Sequence, residues 1–144
     1  MMLVQTRVGP SLIHGMGLFA VDFVPKGTPC WRFQPGFDHD FSPADFAALP
    51  LEARRHTRWF CYVRYADLHV VLSGDHACFI NHSSEPNTGA PPGALVEPVT
   101  TVALRDIQPG EEITCDYWAY DADTPWKFGK VPPDAPLGAP SKHS

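Results

Sequence analysis

The 144-residue sequence has no clustered run of Lys and Arg, no Cys-x-x-Cys pair and no apolar stretch approaching membrane-spanning length. The first absence argues against nucleic acid as a direct partner, because phosphate neutralisation needs grouped cations. A formal charge of −5 suits a basic protein partner better. The four cysteines, Cys30, Cys61, Cys78 and Cys115, stand far apart and fit neither a zinc knuckle nor a dense disulfide framework. They are expected as free, mostly buried thiols in a reducing compartment. Met1 to Arg7 carries no apolar signal core, so no membrane association is expected. The chain reads as soluble and intracellular, cytoplasmic or, in a eukaryote, nuclear. Internal repeats are also missing.

What is present is turn chemistry. Sixteen prolines and eleven glycines in one domain-sized chain predict many short elements, hence a mostly β protein with few short helices. Strands are expected over residues 3–8, 18–21, 29–33, 68–72, 94–98 and 99–104. Ser42-Pro43 reads as a helix start, with Ser as N-cap and Pro in the first turn. A second helix is expected from Leu51 to about Cys61, with Leu51, Trp59 and Phe60 facing inward. The last ten residues are expected to be disordered.

The densest polar stretch is Phe79-Ile80-Asn81-His82-Ser83-Ser84-Glu85-Pro86-Asn87. Two apolar residues lead into paired amides and an imidazole, and Pro86 closes the segment. Such a turn either meets a ligand at the edge of a core or hydrogen-bonds only to itself. A second stretch, Gly110-Glu111-Glu112-Ile113-Thr114-Cys115-Asp116-Tyr117, is a turn followed by a short strand that ends in an acid and a phenol. A third, His14-Gly15-Met16-Gly17-Leu18, places two glycines where close backbone approach is possible.

Together, in this order, the three stretches resemble the SET-domain protein lysine methyltransferases, which use S-adenosylmethionine. The family pattern runs G-x-G-φ, then N-H-S-x-x-P-N, then G-E-E-φ-x-φ-D-Y, and the resemblance covers roughly residues 4 to 120. The last two motifs are specific in combination; Gly-x-Gly is not. The resemblance implies several small sheets and a pseudoknot in which one C-terminal motif threads a loop formed by the other, an exception to the rule against knots. It implies a SET domain over residues 1–120 and a C-terminal tail over 121–144.

The resemblance also assigns roles. Backbone groups at Gly15, Met16 and Gly17 would contact the cofactor, Asn81 through its side-chain amide and His82 through its backbone at the adenine edge. Tyr117 falls on the catalytic tyrosine and would orient the methyl group and the acceptor amine. Asn87 and Asp116 would fix the crossing of the two motifs. Tyr62 and Tyr65 either wall a lysine channel or pack in the core. Cys115 stands where family members often carry Phe or Tyr, so methylation multiplicity stays open. The tail lacks the three zinc-binding cysteines of many members, so no metal is expected there. Trp126, with Phe128, either covers the cofactor or packs on the surface.

The implied function is S-adenosylmethionine-dependent methylation of a lysine in a basic protein such as a histone, by a monomer or a homodimer. Three other readings stand beside it. One is a non-catalytic binding module with the same fold. Another is a methyltransferase for a histidine side chain or a small amine. The third is a metal hydrolase built on His56, His69, His76 and His82, whose spacing matches no ligand pattern.

Overall fold

The computed structural model describes residues 1–93 and 100–142. In chain order the first elements are β1 (Thr6–Pro10), β2 (Met16–Ala20), β3 (Pro29–Trp31), β4 (His39–Phe41), α1 (Pro43–Ala48) and α2 (Leu51–Phe60). Next come β5 (Tyr62–Val63), β6 (Val70–Leu72), a 3-10 turn over His76–Phe79, β7 (Asn81–His82) and β8 (Thr88–Gly89). The last are β9 (Thr101–Ala103), β10 (Glu112–Cys115), α3 (Tyr117–Tyr120) and α4 (Thr124–Lys127). Short strands dominate, as the turn-rich composition predicts. Among the described residues, no helix is long and apolar enough to cross a membrane.

The chain divides into two compact units. The first comprises Met1–Asp38 and Ser73–Asp116. Its larger sheet has the order β1-β2-β10-β7, antiparallel between β1, β2 and β10 and parallel between β10 and β7. Its smaller sheet runs β3-β9-β8. Ala20, Val24, Cys30, Ala103, Ile107 and Ile113 form the core, with Met2, Val4 and Ile80 packed against it. Strand β1 extends to Pro10, two residues beyond the expected end. Pro10 fits because it closes an edge strand, where a missing N–H costs little. The expected 94–98 strand and the start of the 99–104 strand lie outside the described residues.

The second unit comprises His39–Leu72 and Tyr117–Ser144. Its sheet runs β4-β6-β5, all antiparallel. Phe46, Cys61, Val63, Val70 and Ala122 make its core. Ser42 caps α1, accepting from the Asp45 N–H at 3.1 Å, and Pro43 occupies the first turn. Strand β6 begins at Val70 rather than Leu68, because Leu68 takes a left-handed φ of 58° that no strand tolerates.

The expected inward face of α2 needs correction. Leu51 and Trp59 are exposed, and the buried member of the helix is Thr57. The indole of Trp59 packs on Trp126 with ring centroids 4.5 Å apart, and the Arg58 guanidinium lies 4.2 Å from the Trp126 ring. Apolar surface is covered there by an aromatic and a cation instead of core burial.

Among the described residues of this unit, the buried carboxylates Asp121 and Asp123 are both paired. The Arg58 guanidinium forks onto Asp123 at 2.8 and 3.0 Å and also donates to Ala135 O. Asp121 accepts from the Val63 and Asp123 N–H groups and from Lys127 Nζ at 2.6 Å. Such pairs hold a geometry because losing one partner strands a charge in a dry interior. Residues 121–125 are accordingly buried, and residues 143 and 144 of the expected disordered end lie outside the described residues.

Candidate active site

The first unit carries Gly15, Met16, Gly17, Asn81 and His82, to which the sequence resemblance gives a cofactor role. The link between β1 and β2 is tied by the hydroxyl of Ser11, which accepts from Ile13 N at 2.9 Å and His14 N at 3.3 Å. Ser11 N also donates to Gly15 O at 2.8 Å. Gly15 adopts φ +47°, and a Cβ placed on it would meet no atom within 4 Å. Gly17 is required for the opposite reason. A Cβ there would run into the carboxylate of Glu112 and come within 3.1 Å of Ser11 Cβ. The two glycines therefore serve different needs, one a backbone angle and an open face, the other a close approach.

Asn81 is buried and its side chain reaches that turn. Nδ2 donates among His14 O at 3.0 Å, Met16 O at 3.2 Å, Glu112 Oε1 at 2.9 Å and Ser11 Oγ at 3.2 Å. The N-H-S motif is thus fastened to the Gly-x-Gly turn by one amide. Among the described residues, the hydrogen bonds of the Asn81 side chain all run through Nδ2.

Asn81 and His82 pair in parallel with Thr114 and Cys115. Ser83 N extends the ladder by donating to Cys115 O at 3.0 Å. Asn87, 1% exposed, joins the same strand, with Nδ2 donating to Glu112 O at 2.7 Å and Oδ1 accepting from Thr114 N at 2.8 Å. His82 Nδ1 lies 3.6 Å from Asp116 Oδ1. The two motifs therefore cross, held by β7, β10 and Asn87. Cys115 is buried at the end of β10.

The second unit carries the aromatic residues. Tyr117 opens α3 directly after Asp116. Its ring meets Tyr120 edge-on at 6.2 Å and Phe128 at 6.3 Å. Tyr62 meets Tyr120 edge-on at 5.2 Å, so Tyr62 and Tyr117 share one neighbour. Tyr65 donates its hydroxyl to Trp118 O at 2.9 Å, and Trp118 stacks on Phe128 at 6.0 Å. Lys127 Nζ stands 5.5 Å from the Tyr117 ring centroid and also donates to Asp121 and Cys61 O. Trp126 belongs to the Arg58–Trp59 stack, and its indole N–H donates to Pro133 O at 3.0 Å.

Ser11, Glu112, Tyr120 and Lys127 escape the sequence reading. Glu112 carried a signal, being the second acid of Gly-Glu-Glu, but nothing in one dimension says which of the two acids turns toward the glycines.

The family model for the SET domain matches residues 15–118. The chain belongs to the SET-domain family. Solved structures share its fold. A Plasmodium falciparum protein assigned as a histone methyltransferase is 18% identical, with a TM-score of 0.52 over 79% of this chain and 93% of that one. The Polycomb Repressive Complex 2 of Chaetomium thermophilum bound to GSK126 is 18% identical, with a TM-score of 0.61 over 88% of this chain. The same complex in an autoinhibited conformation bound to S-adenosylmethionine is 16% identical, with a TM-score of 0.58 over 82% of this chain. The chain spans only 17% and 16% of the length of those two Polycomb chains. No curated protein sequence matches it.

Proposed function

We propose that the protein is an S-adenosylmethionine-dependent methyltransferase acting on a lysine side chain of a basic protein. Membership of the SET-domain family supports the methyltransferase class. The single observation that carries the reading is the Asn81 side chain, whose Nδ2 reaches the carbonyls of His14 and Met16. It joins two motifs that lie 65 and 67 residues apart in sequence into one polar cradle.

The cradle fits the cofactor. The open face at Gly15 allows backbone approach, and Asn81 Oδ1 offers an acceptor for an ammonium group. Gly15, Met16, Gly17, Asn81 and the backbone of His82 would hold it. When bound, S-adenosylmethionine supplies an activated methyl group on a sulfonium. Tyr117 orients the acceptor amine through its hydroxyl. The acceptor has an ordinary pKa of about 10.4 and reacts only when neutral, and aromatic walls disfavour its ammonium form by desolvation. In this reading Tyr62, Tyr65 and Tyr120 would supply such walls, and Cys115 would limit the space for methyl groups. Fixing the reactants in line contributes on the order of 7 kcal/mol in favourable cases.

Calorimetric titration with S-adenosylmethionine tests the reading on wild type, Asn81→Ala and Tyr117→Phe. Wild-type binding that Asn81→Ala abolishes and Tyr117→Phe retains is expected, followed by methyl transfer to histones by wild type alone. A folded wild type that binds no S-adenosylmethionine, even with basic peptides present, removes the enzyme reading and leaves a binding module.

A further inference from the structure

Glu112 lies in the Gly-Glu-Glu motif, yet its side chain works at the Gly-x-Gly turn. It sits on β10 opposite Phe19 of β2. Both carboxylate oxygens accept the Ser11 hydroxyl, at 2.7 and 2.8 Å, and Oε1 also accepts from Asn81 Nδ2 at 2.9 Å. We propose that Glu112 is a positioning residue for the cofactor turn, setting the direction of the hydrogen bonds made by Ser11 and Asn81. The inference rests on the methyltransferase reading given above.

The argument is one of donors and acceptors. A carboxylate only accepts. Ser11 has a single proton, and with that proton on Glu112 its oxygen is left to accept from Ile13 N and His14 N. Asn81 must likewise turn its NH2 toward Glu112, which brings it to the carbonyls of His14 and Met16. The carbonyl end of the amide is thereby presented away from the carboxylate. One acceptor-only group thus orients both side chains that hold the turn, and charge-assisted bonds make that choice firm. Gly17 is small for the same reason, since any Cβ would occupy the space of this carboxylate.

Glu112→Gln keeps the shape and removes the rule. A glutamine oxygen in place of Oε1 can still accept from Ser11 and Asn81, but it carries no charge, and the NH2 in place of Oε2 faces a Ser11 oxygen that already accepts from Ile13 N, His14 N and Asn81 Nδ2. Losing such a charge-assisted bond is expected to raise the KM and Kd for S-adenosylmethionine about tenfold, with kcat changed far less. Ser11→Ala, which leaves the carboxylate in place, is expected to weaken binding in the same direction by a smaller factor. In unliganded protein, the Asn81 side-chain amide protons, followed by NMR, should exchange with water faster in Glu112→Gln than in wild type.

Folded Glu112→Gln with wild-type affinity and wild-type Asn81 exchange overturns the inference. Should Glu112→Gln fail to fold, Ser11→Ala with unchanged affinity overturns it equally. Wild type that binds no S-adenosylmethionine overturns the functional reading instead. In that event the Asn81 exchange rates still decide whether Glu112 orients the amide.

Discussion

Asn87 and Thr114 hold each other by reciprocal hydrogen bonds. The Thr114 N–H donates to Asn87 Oδ1 at 2.8 Å, and the Asn87 N–H donates to Thr114 Oγ1 at 3.1 Å. Both residues are buried, and the neighbouring Thr88 hydroxyl adds a bond to Thr114 O at 2.7 Å. The crossing of the two C-terminal motifs is therefore a fully paired polar junction inside an apolar unit.

Asn87→Ala leaves the Thr114 N–H and the Glu112 carbonyl without their partner. Stranding buried groups costs about 1–3 kcal/mol each, so a loss of roughly 2–5 kcal/mol is expected. Urea unfolding of the two proteins measures it. Asn87→Asp, which keeps the acceptor for Thr114 N–H and loses the donor, should fall between them.

Gly17→Ala and Gly15→Ala should differ in kind. At Gly17 the new methyl displaces the Glu112 carboxylate, so cofactor affinity and stability fall together. At Gly15 the methyl meets no protein atom, so the cost to the unliganded fold is the left-handed backbone alone, about 1–2 kcal/mol, while the methyl stands on the face open to the cofactor and weakens its binding. Thermal unfolding with and without S-adenosylmethionine separates the two.

Tyr117→Phe removes a hydroxyl while preserving the ring contacts with Tyr120 and Phe128. Loss of the hydroxyl that would orient the acceptor amine is expected to lower kcat about 100-fold or more. Cofactor affinity should stay near wild type in the same calorimetric cell.

Asp67 gives a pH signature. The Arg64 guanidinium donates to its carboxylate, with the His69 N–H adding a second bond, and together they hold its pKa down at about 2 from the ordinary 3.8. A depressed carboxylate stabilises the fold above its unfolded pKa and loses that contribution as pH falls through the folded value. The turn from Arg64 to His69 should therefore loosen between about pH 4 and pH 2, and not at neutral pH. A carboxyl NMR titration of Asp67 with a midpoint near 4 would contradict the pairing.

Thiol chemistry checks the core of the second unit. Burial pushes the Cys61 thiol up to about 12, against the opposing pull of nearby Lys127. At pH 8 it should resist alkylation in the native state, whereas the half-buried Cys78 is labelled first. Mass spectrometry of labelled peptides reads the order directly.

The sequence by itself determined the family and the fold class. Gly-x-Gly, N-H-S-x-x-P-N and G-E-E-φ-x-φ-D-Y are local strings, and the turns they encode need Gly and Pro at fixed places whatever surrounds them. Ser42-Pro43 marked the start of α1 for the same local reason. Tertiary structure decided what depends on approach through space. The inward face of α2 was misread because Trp59 stays exposed and stacks on Trp126, which lies 67 positions further along the chain. Trp126, which the sequence leaves either covering the cofactor or packing on the surface, sits in the Arg58–Trp59 stack. Glu112 looked like one of two equivalent acids, until strand pairing set its carboxylate beside Gly17, Ser11 and Asn81. Local strings fix backbone angles; which side chains then share a hydrogen bond is a property of pairing register and packing, and no linear pattern contains it.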